Sequence, residues 1–251
     1  MISTKNHNNC LLVPTFPKHY KWTEQLLNTA NPEIETIILG FSSTQEAEQF
    51  THPFPYRTVI SNVLESQNGF ITHKKLDLLR QVYKEFNYVA LIDAETLILR
   101  PVCPELERLW NENCFIANHS SDGKRMLGKV AQLSGYNYTG DLYPWLNGPP
   151  LYKCELLDGF FKWLDLREKK VLEICETFDF TLFALYCQFE LGMSWRKLGD
   201  MTVHHGLVEN ADEWSKHRHL IGEVPWSTWY SGVEQNSNIL MLFHLDRYPR
   251  S

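Results

Sequence analysis

No two of the six cysteines are spaced CxxC, which argues against a zinc ribbon or a thioredoxin-type redox pair. Cys10, Cys103, Cys114, Cys154, Cys175 and Cys187 mostly sit inside apolar runs, as in Leu185-Tyr186-Cys187-Gln188-Phe189. They read as small buried hydrophobes in a reducing compartment. No stretch approaches the ~18 consecutive apolar residues of a membrane helix. Met1 to Asn9 is polar and lacks the apolar core of a signal peptide. These absences make a cytoplasmic location the expectation, with no transmembrane segment, and leave contact with a membrane surface open. There is no GxGxxG and no GxxxxGK[ST], so dinucleotide and P-loop phosphate binding have no support. Basic residues are not in excess: 24 Lys+Arg face 30 Asp+Glu, a net charge of −6. That speaks against a nucleic-acid partner, because phosphate neutralisation needs a basic surface. Internal repeats, low-complexity segments and Ser/Gly linkers are also missing.

What is present is ordinary globular material. Hydrophobic residues make up 43% and charged residues 22%, which excludes a disordered chain. At 251 residues the chain can bury a core without disulfide or metal staples. With no linker it reads as one domain over 1–251.

The first hundred residues alternate strand and helix signals. Cys10–Phe16 reads as a first strand. Lys18–Ala30 carries Trp22, Leu26, Leu27 and Ala30 at helical spacing and stops before Pro32. Glu35–Phe41 is a short β-branched strand. Thr44–Phe50 follows a Ser43/Thr44 cap signal with an acidic first turn. Tyr56–Ser61 is a third strand. Thr72–Phe86 is an amphipathic helix with Leu76, Leu79, Val82, Tyr83 and Phe86 on one side. Tyr88–Asp93 is a continuous apolar run, the mark of a parallel strand covered on both faces. The alternation predicts an α/β fold with a mostly parallel, Rossmann-like central sheet flanked by helices. Ligands of such sheets bind at the carboxyl ends of the strands.

Beyond about residue 103 the pattern changes. Pro104–Asn113 reads as a short helix and Phe115–His119 as a strand. Loops dominate 120–150. Glu155–Leu166 and Phe178–Leu191 read as apolar helices, and Asn238–Phe243 as a last strand ending in His244.

The sharpest chemical signal is Asp93-Ala94-Glu95. A buried strand runs straight into two carboxylates. Such a pair repels itself unless a cation sits with it. Hard divalent ions such as Mn²⁺ or Mg²⁺ take oxygen ligands and bridge to phosphates. The plain alternative is a turn with two solvated acids.

The segment from Thr72 to Pro101 resembles the nucleotide-sugar glycosyltransferases of the GT-A fold. In that family a helix bearing a basic residue precedes an apolar strand that ends in Asp-x-Asp. Here the motif stands as Asp93-Ala94-Glu95, one methylene longer at its second acid. The resemblance implies a metal-dependent glycosyltransferase with a nucleoside-diphosphate sugar as donor and a glycan or other hydroxyl as acceptor. It implies that Asp93 and Glu95 hold the metal and the donor, and that Lys75 approaches the diphosphate, with Lys74 as the competing choice. Thr15, at the end of the first strand, falls where the family cradles base and ribose. A loop hydroxyl is the equal alternative.

The resemblance also implies residues of the second half. His244 would complete the metal site, with His204 and His205 as rivals. Asp179 would be the general base of an inverting reaction, with Glu176 as runner-up and Glu190 a weaker candidate. An acid in a first helical turn also simply favours the helix dipole. Trp145 and Asn147 fall on the acceptor side. The halves would be about 1–102 for the nucleotide sugar and about 103–251 for the acceptor. Two other functions stay open: a non-catalytic binder of carbohydrate or nucleotide sugar on the same fold, and a sugar nucleotidyltransferase. The latter wants a Gly-rich basic loop after the first strand, where this chain has Pro14-Thr-Phe-Pro17-Lys18.

Overall fold

Three fully buried strands set the centre of the molecule: β1 (Asn9–Pro14), β2 (Ile37–Phe41) and β4 (Tyr88–Leu91). The computed structural model describes residues 9–64, 70–98, 100, 102, 114–119, 135, 144–145, 151–167, 179–197 and 241–242. β1 pairs in parallel with β2 on one side, Leu11 opposite Ile37, and with β4 on the other, Asn9 opposite Tyr88. β3 (Tyr56–Ile60) adds to β2 in parallel as a partly exposed edge. β8 (Leu151–Lys153) closes the other side antiparallel to β4, giving the order β3-β2-β1-β4-β8. Continuous Leu, Ile and Val suit strands covered on both faces, and the polar positions of β3 fit an edge.

The helices follow from their apolar stripes. A 3-10 turn at Pro17–His19 leads into α1 (Tyr20–Thr29), which buries Trp22, Leu26 and Leu27. It stops at Ala30, whose backbone is extended, because Asn31 precedes a proline and disfavours helix. α2 (Thr44–Gln49) starts at Ser43, whose Oγ accepts from the Glu46 amide at 3.1 Å. The Glu46 carboxylate in turn accepts from the Ser42 amide at 3.0 Å, so two free donors at the helix start are satisfied. α3 (Phe70–Val82) buries Lys74, Leu76, Leu78, Leu79 and Val82. It lies so close to β2 that a Cβ at Gly40 would collide with the Leu78 side chain. Glycine is the residue that permits this approach.

The second half packs on the first through aromatic rings. α4 (Leu157–Asp165) buries Phe160, Phe161 and Trp163. Phe160 meets Phe183 of α5 (Asp179–Leu185) edge-on at 5.4 Å, and Phe183 meets Tyr152 of β8 at 5.0 Å. Phe161 packs on Tyr83 at 5.4 Å.

Several expectations need correction. The stretch 120–150 is not all loop: Pro144–Trp145 forms β7, paired with β6 (Cys114–His119), and just beyond it Leu151–Lys153 forms β8. β8 is short and follows two prolines, so only its ladder with β4 makes it a strand. The helix expected over Phe178–Leu191 is α-helical only to Leu185 and then widens into a π turn, Tyr186–Glu190. β9 (Ser194–Lys197), parallel to β6, carries no apolar run. The stretch after the acid pair forms β5 (Leu97–Ile98), antiparallel to β10 (Met241–Leu242). Pro104–Asn113 lies outside the described residues. Among the described residues no helix is long and apolar enough to cross a membrane.

Candidate active site

The strand order reverses direction at β1: the chain moves outward to β2 and β3, then returns to the far side as β4. The crevice beyond the carboxyl ends of β1 and β4 is the topological switch point, where open α/β sheets bind ligands. Thr15 and Phe16 leave β1 there, and Asp93, Ala94 and Glu95 leave β4 there. Ala94 is buried, so the two acids stand on either side of a small anchored residue. The Thr96 hydroxyl donates to the Asp93 carbonyl at 2.6 Å and closes this turn.

Helix α3 ties the four parallel strand ends together. The Lys75 ammonium lies 2.7 Å from Asp93 Oδ1. Lys74, one residue earlier, is fully buried. It donates to the Thr15 carbonyl at 2.8 Å and the Ser42 hydroxyl at 2.9 Å, linking the ends of β1 and β2. One turn later, Asp77 Oδ2 accepts from the Ser61 hydroxyl at 3.0 Å and the Asn62 amide at 2.8 Å, which holds the end of β3. Neighbouring helix residues point in different directions, which separates the two lysines. Lys75 reaches Asp93, and Lys74 goes into the floor beneath the β1 loop.

Glu95 is buried. His19, from the turn before α1, places Nδ1 3.6 Å from Glu95 Oε2. Phe16 meets the His19 ring edge-on at 5.7 Å and the Phe70 ring at 5.9 Å. Thr15 is fully buried, and its hydroxyl donates back to the Val13 carbonyl at 3.2 Å. This end of the sheet therefore gathers Phe16, His19, Lys75, Asp93 and Glu95, with Thr15 buried beneath them.

The donor set fits a hard divalent cation in kind. Two carboxylates at one strand end would supply oxygen ligands, and the rest would have to come from a ligand or water. Among the described residues no three His, Cys, Asp or Glu side chains lie together as a metal-holding group. His244, His204, His205, Glu176 and Asn147 lie outside the described residues. Asp179 opens α5 and Trp145 lies on β7, but their side chains are not among those described. Glu190 Oε1 accepts from the Trp163 indole at 3.1 Å and pairs with Arg167 at 3.3 Å. That carboxylate joins α4 to the π turn.

His19 and Asp77 escaped the sequence reading. His19 follows Pro17-Lys18 in a turn with no strand or helix pattern to aim it. Asp77 looks like any polar position on an exposed helix face. A groove of about 590 Å³, lined by Tyr83, Phe86, Tyr88, Lys153 and Asp158 among others, lies at the opposite, amino end of β4. Its charges are paired internally, Lys153 with Glu155 at 2.6 Å and Asp158 with the Tyr83 hydroxyl at 2.5 Å. It carries none of the chemistry above.

No protein-family model and no curated protein matches the sequence. Solved structures do match in shape. Mouse xyloside xylosyltransferase 1, apo form, superposes with a TM-score of 0.52 at 13% identity, covering 97% of this chain and 100% of that one. The apo structure of the bifunctional glycosyltransferase WbbM superposes with a TM-score of 0.51 at 11% identity, covering 97% of this chain and 47% of that one. This chain thus spans under half of WbbM. The likeness is one of fold: the chain has a GT-A-like glycosyltransferase fold, built on a mixed five-stranded sheet flanked by helices.

Proposed function

We propose that the protein is a metal-assisted glycosyltransferase that moves a sugar from a nucleoside-diphosphate sugar to a hydroxyl of a glycan or other acceptor. One observation carries this reading. Asp93 and Glu95 stand together at the switch point of a GT-A-like sheet, and the Lys75 ammonium lies 2.7 Å from Asp93. Two acids and a cation at one strand end suit a metal–diphosphate pair better than either partner alone.

Residues 1–102 would hold the donor. The Thr15–Phe16 turn walls the base and ribose, and Lys75 exchanges its contact with Asp93 for one with the diphosphate. Asp93 and Glu95 would hold Mn²⁺ or Mg²⁺, with His244 as third ligand. β10 supports that choice, because Leu242 pairs with Leu97, two residues beyond Glu95. When bound, the cation neutralises charge on the departing diphosphate.

Residues 103–251 would take the acceptor, with Trp145 and Asn147 on that side. The acceptor oxygen bonds to the anomeric carbon as the bond from that carbon to the diphosphate oxygen breaks. The bonding electrons leave with the nucleoside diphosphate. In an inverting reaction the acceptor proton passes to a carboxylate, for which Asp179 is our first choice and Glu176 the second. A cytoplasmic location accords with the free, buried thiols of Cys10, Cys154 and Cys187.

The test is release of UDP or GDP from a panel of nucleotide sugars with Mn²⁺, with and without added glycans. Release that rises with one donor and one acceptor class supports transfer. Tight donor binding without any release points to the non-catalytic binder.

A further inference from the structure

Lys74 is a buried cation that the chemistry above does not use. A buried ammonium is costly unless hydrogen bonds replace its water. An apolar side chain would fill the same space beside Leu78 without that cost. The position of its ammonium shows what the charge does. It holds the Thr15 carbonyl at 2.8 Å and the Ser42 hydroxyl at 2.9 Å, and it lies 3.9 Å from the centre of the Phe16 ring.

Thr15 is therefore fixed from both sides. Its amide donates to the Gly40 carbonyl on β2 at 2.7 Å, and its carbonyl accepts from Lys74. Phe16 is held by three groups: Lys74 below, and the rings of His19 and Phe70 edge-on.

We propose that Lys74 is a positioning residue that clamps the β1 turn to the β2 turn and so preforms the wall against which the donor nucleotide binds. The functional half of this rests on the donor reading given above. A wall already in place need not be ordered by its ligand, so affinity is gained without any contact to it. Lys75 touches Asp93, while Lys74 acts through Thr15, Ser42 and Phe16.

The test uses the full chain and Lys74→Met, which keeps the length of the side chain and removes the ammonium. Ser42→Ala, which removes one anchor, serves if the Met variant does not fold. Two readouts are taken: amide hydrogen exchange across the sheet, and calorimetric binding of UDP and GDP with Mn²⁺. The expected exchange result is local. Residues 15–19 and 41–43 exchange faster, while 61–63, held by Asp77, do not change. The expected binding loss is roughly 5–30-fold, the cost of ordering about one backbone residue. Ser42→Ala moves both readouts in the same direction by less.

Faster exchange throughout the sheet with unchanged nucleotide affinity overturns the proposal and leaves Lys74 as ordinary core. If the unaltered protein binds neither nucleotide, the donor reading fails and takes the functional half with it. The exchange pattern still judges the clamp on its own.

Discussion

Replacing Lys75 with methionine separates a lysine that serves the fold from one that serves the ligand. Its ammonium sits 2.7 Å from Asp93, with 14% of the lysine and 34% of the aspartate side chain exposed. At an effective dielectric constant of about 20, that separation carries about 6 kcal/mol of gross attraction. Desolvation and the ordering of a long side chain remove most of it, leaving about 1 kcal/mol at a partly exposed pair. Stability should therefore fall little. In a chain of this size about 1 kcal/mol lowers Tm by about 2–4 °C. The effect on binding should be larger, since a charge-assisted hydrogen bond to a phosphate is worth about 1.5–3 kcal/mol, or roughly 10–150-fold in Kd. Calorimetric titration with UDP and GDP, beside a thermal melt, reads both quantities from one preparation. A Tm drop above 10 °C with unchanged nucleotide affinity would refute the reasoning, because the pair would then belong to the fold alone.

Three further outcomes follow from other parts of the molecule. Gly40→Ala should cost about 1–3 kcal/mol, because the new methyl meets buried Leu78 and overpacking carries that cost; a thermal melt checks it, and pairing it with Leu78→Ala should recover part of the loss. Burial pushes the Cys154 thiol up to about 12 and raises those of Cys10 and Cys187, so the thiolate fraction of Cys154 near neutral pH is about 1,000-fold below that of an ordinary thiol. Alkylation followed by mass spectrometry should find these three cysteines slow in the native protein, and all six modified after denaturation without reductant. Asp179→Asn should lower turnover by roughly 100-fold or more with donor binding nearly unchanged; near-normal turnover would place the base elsewhere, with Glu176 next, or mean a retaining reaction that needs no such base.

The first hundred residues were the legible part, and the reason is physical. Buried parallel strands are written as unbroken runs such as Cys10-Leu-Leu-Val13 and Val89-Ala-Leu-Ile92, which admit few other readings. Helices such as α3 carry their apolar stripe at 3.6-residue spacing. The acids at the end of β4 were visible because two carboxylates directly after so apolar a strand stand out against the run before them. What stayed hidden depends on partners distant in sequence. β8 is two apolar residues and a lysine after Pro149-Pro150, and only its ladder to Tyr88–Ala90 makes it a strand. The π turn after Leu185 is followed by Gly192 at φ +64°, and no periodicity announces it. The choice between Lys74 and Lys75 could not be made from spacing, because adjacent helix residues differ by about 100° and the sequence does not say which direction faces the sheet. His19 was missed because a turn carries no periodicity to aim a side chain.

Cation-dependent nucleotide binding at the end of β4 tests the central claim most directly. A ligand that binds only the native state raises the melting temperature by mass action, by about 2.7 kcal/mol at a hundred times its Kd. The account predicts that UDP or GDP raises Tm by several degrees with Mn²⁺ and little with EDTA, and that Glu95→Ala abolishes the rise without unfolding the protein. An equal rise in EDTA, or one that survives Glu95→Ala, would contradict it.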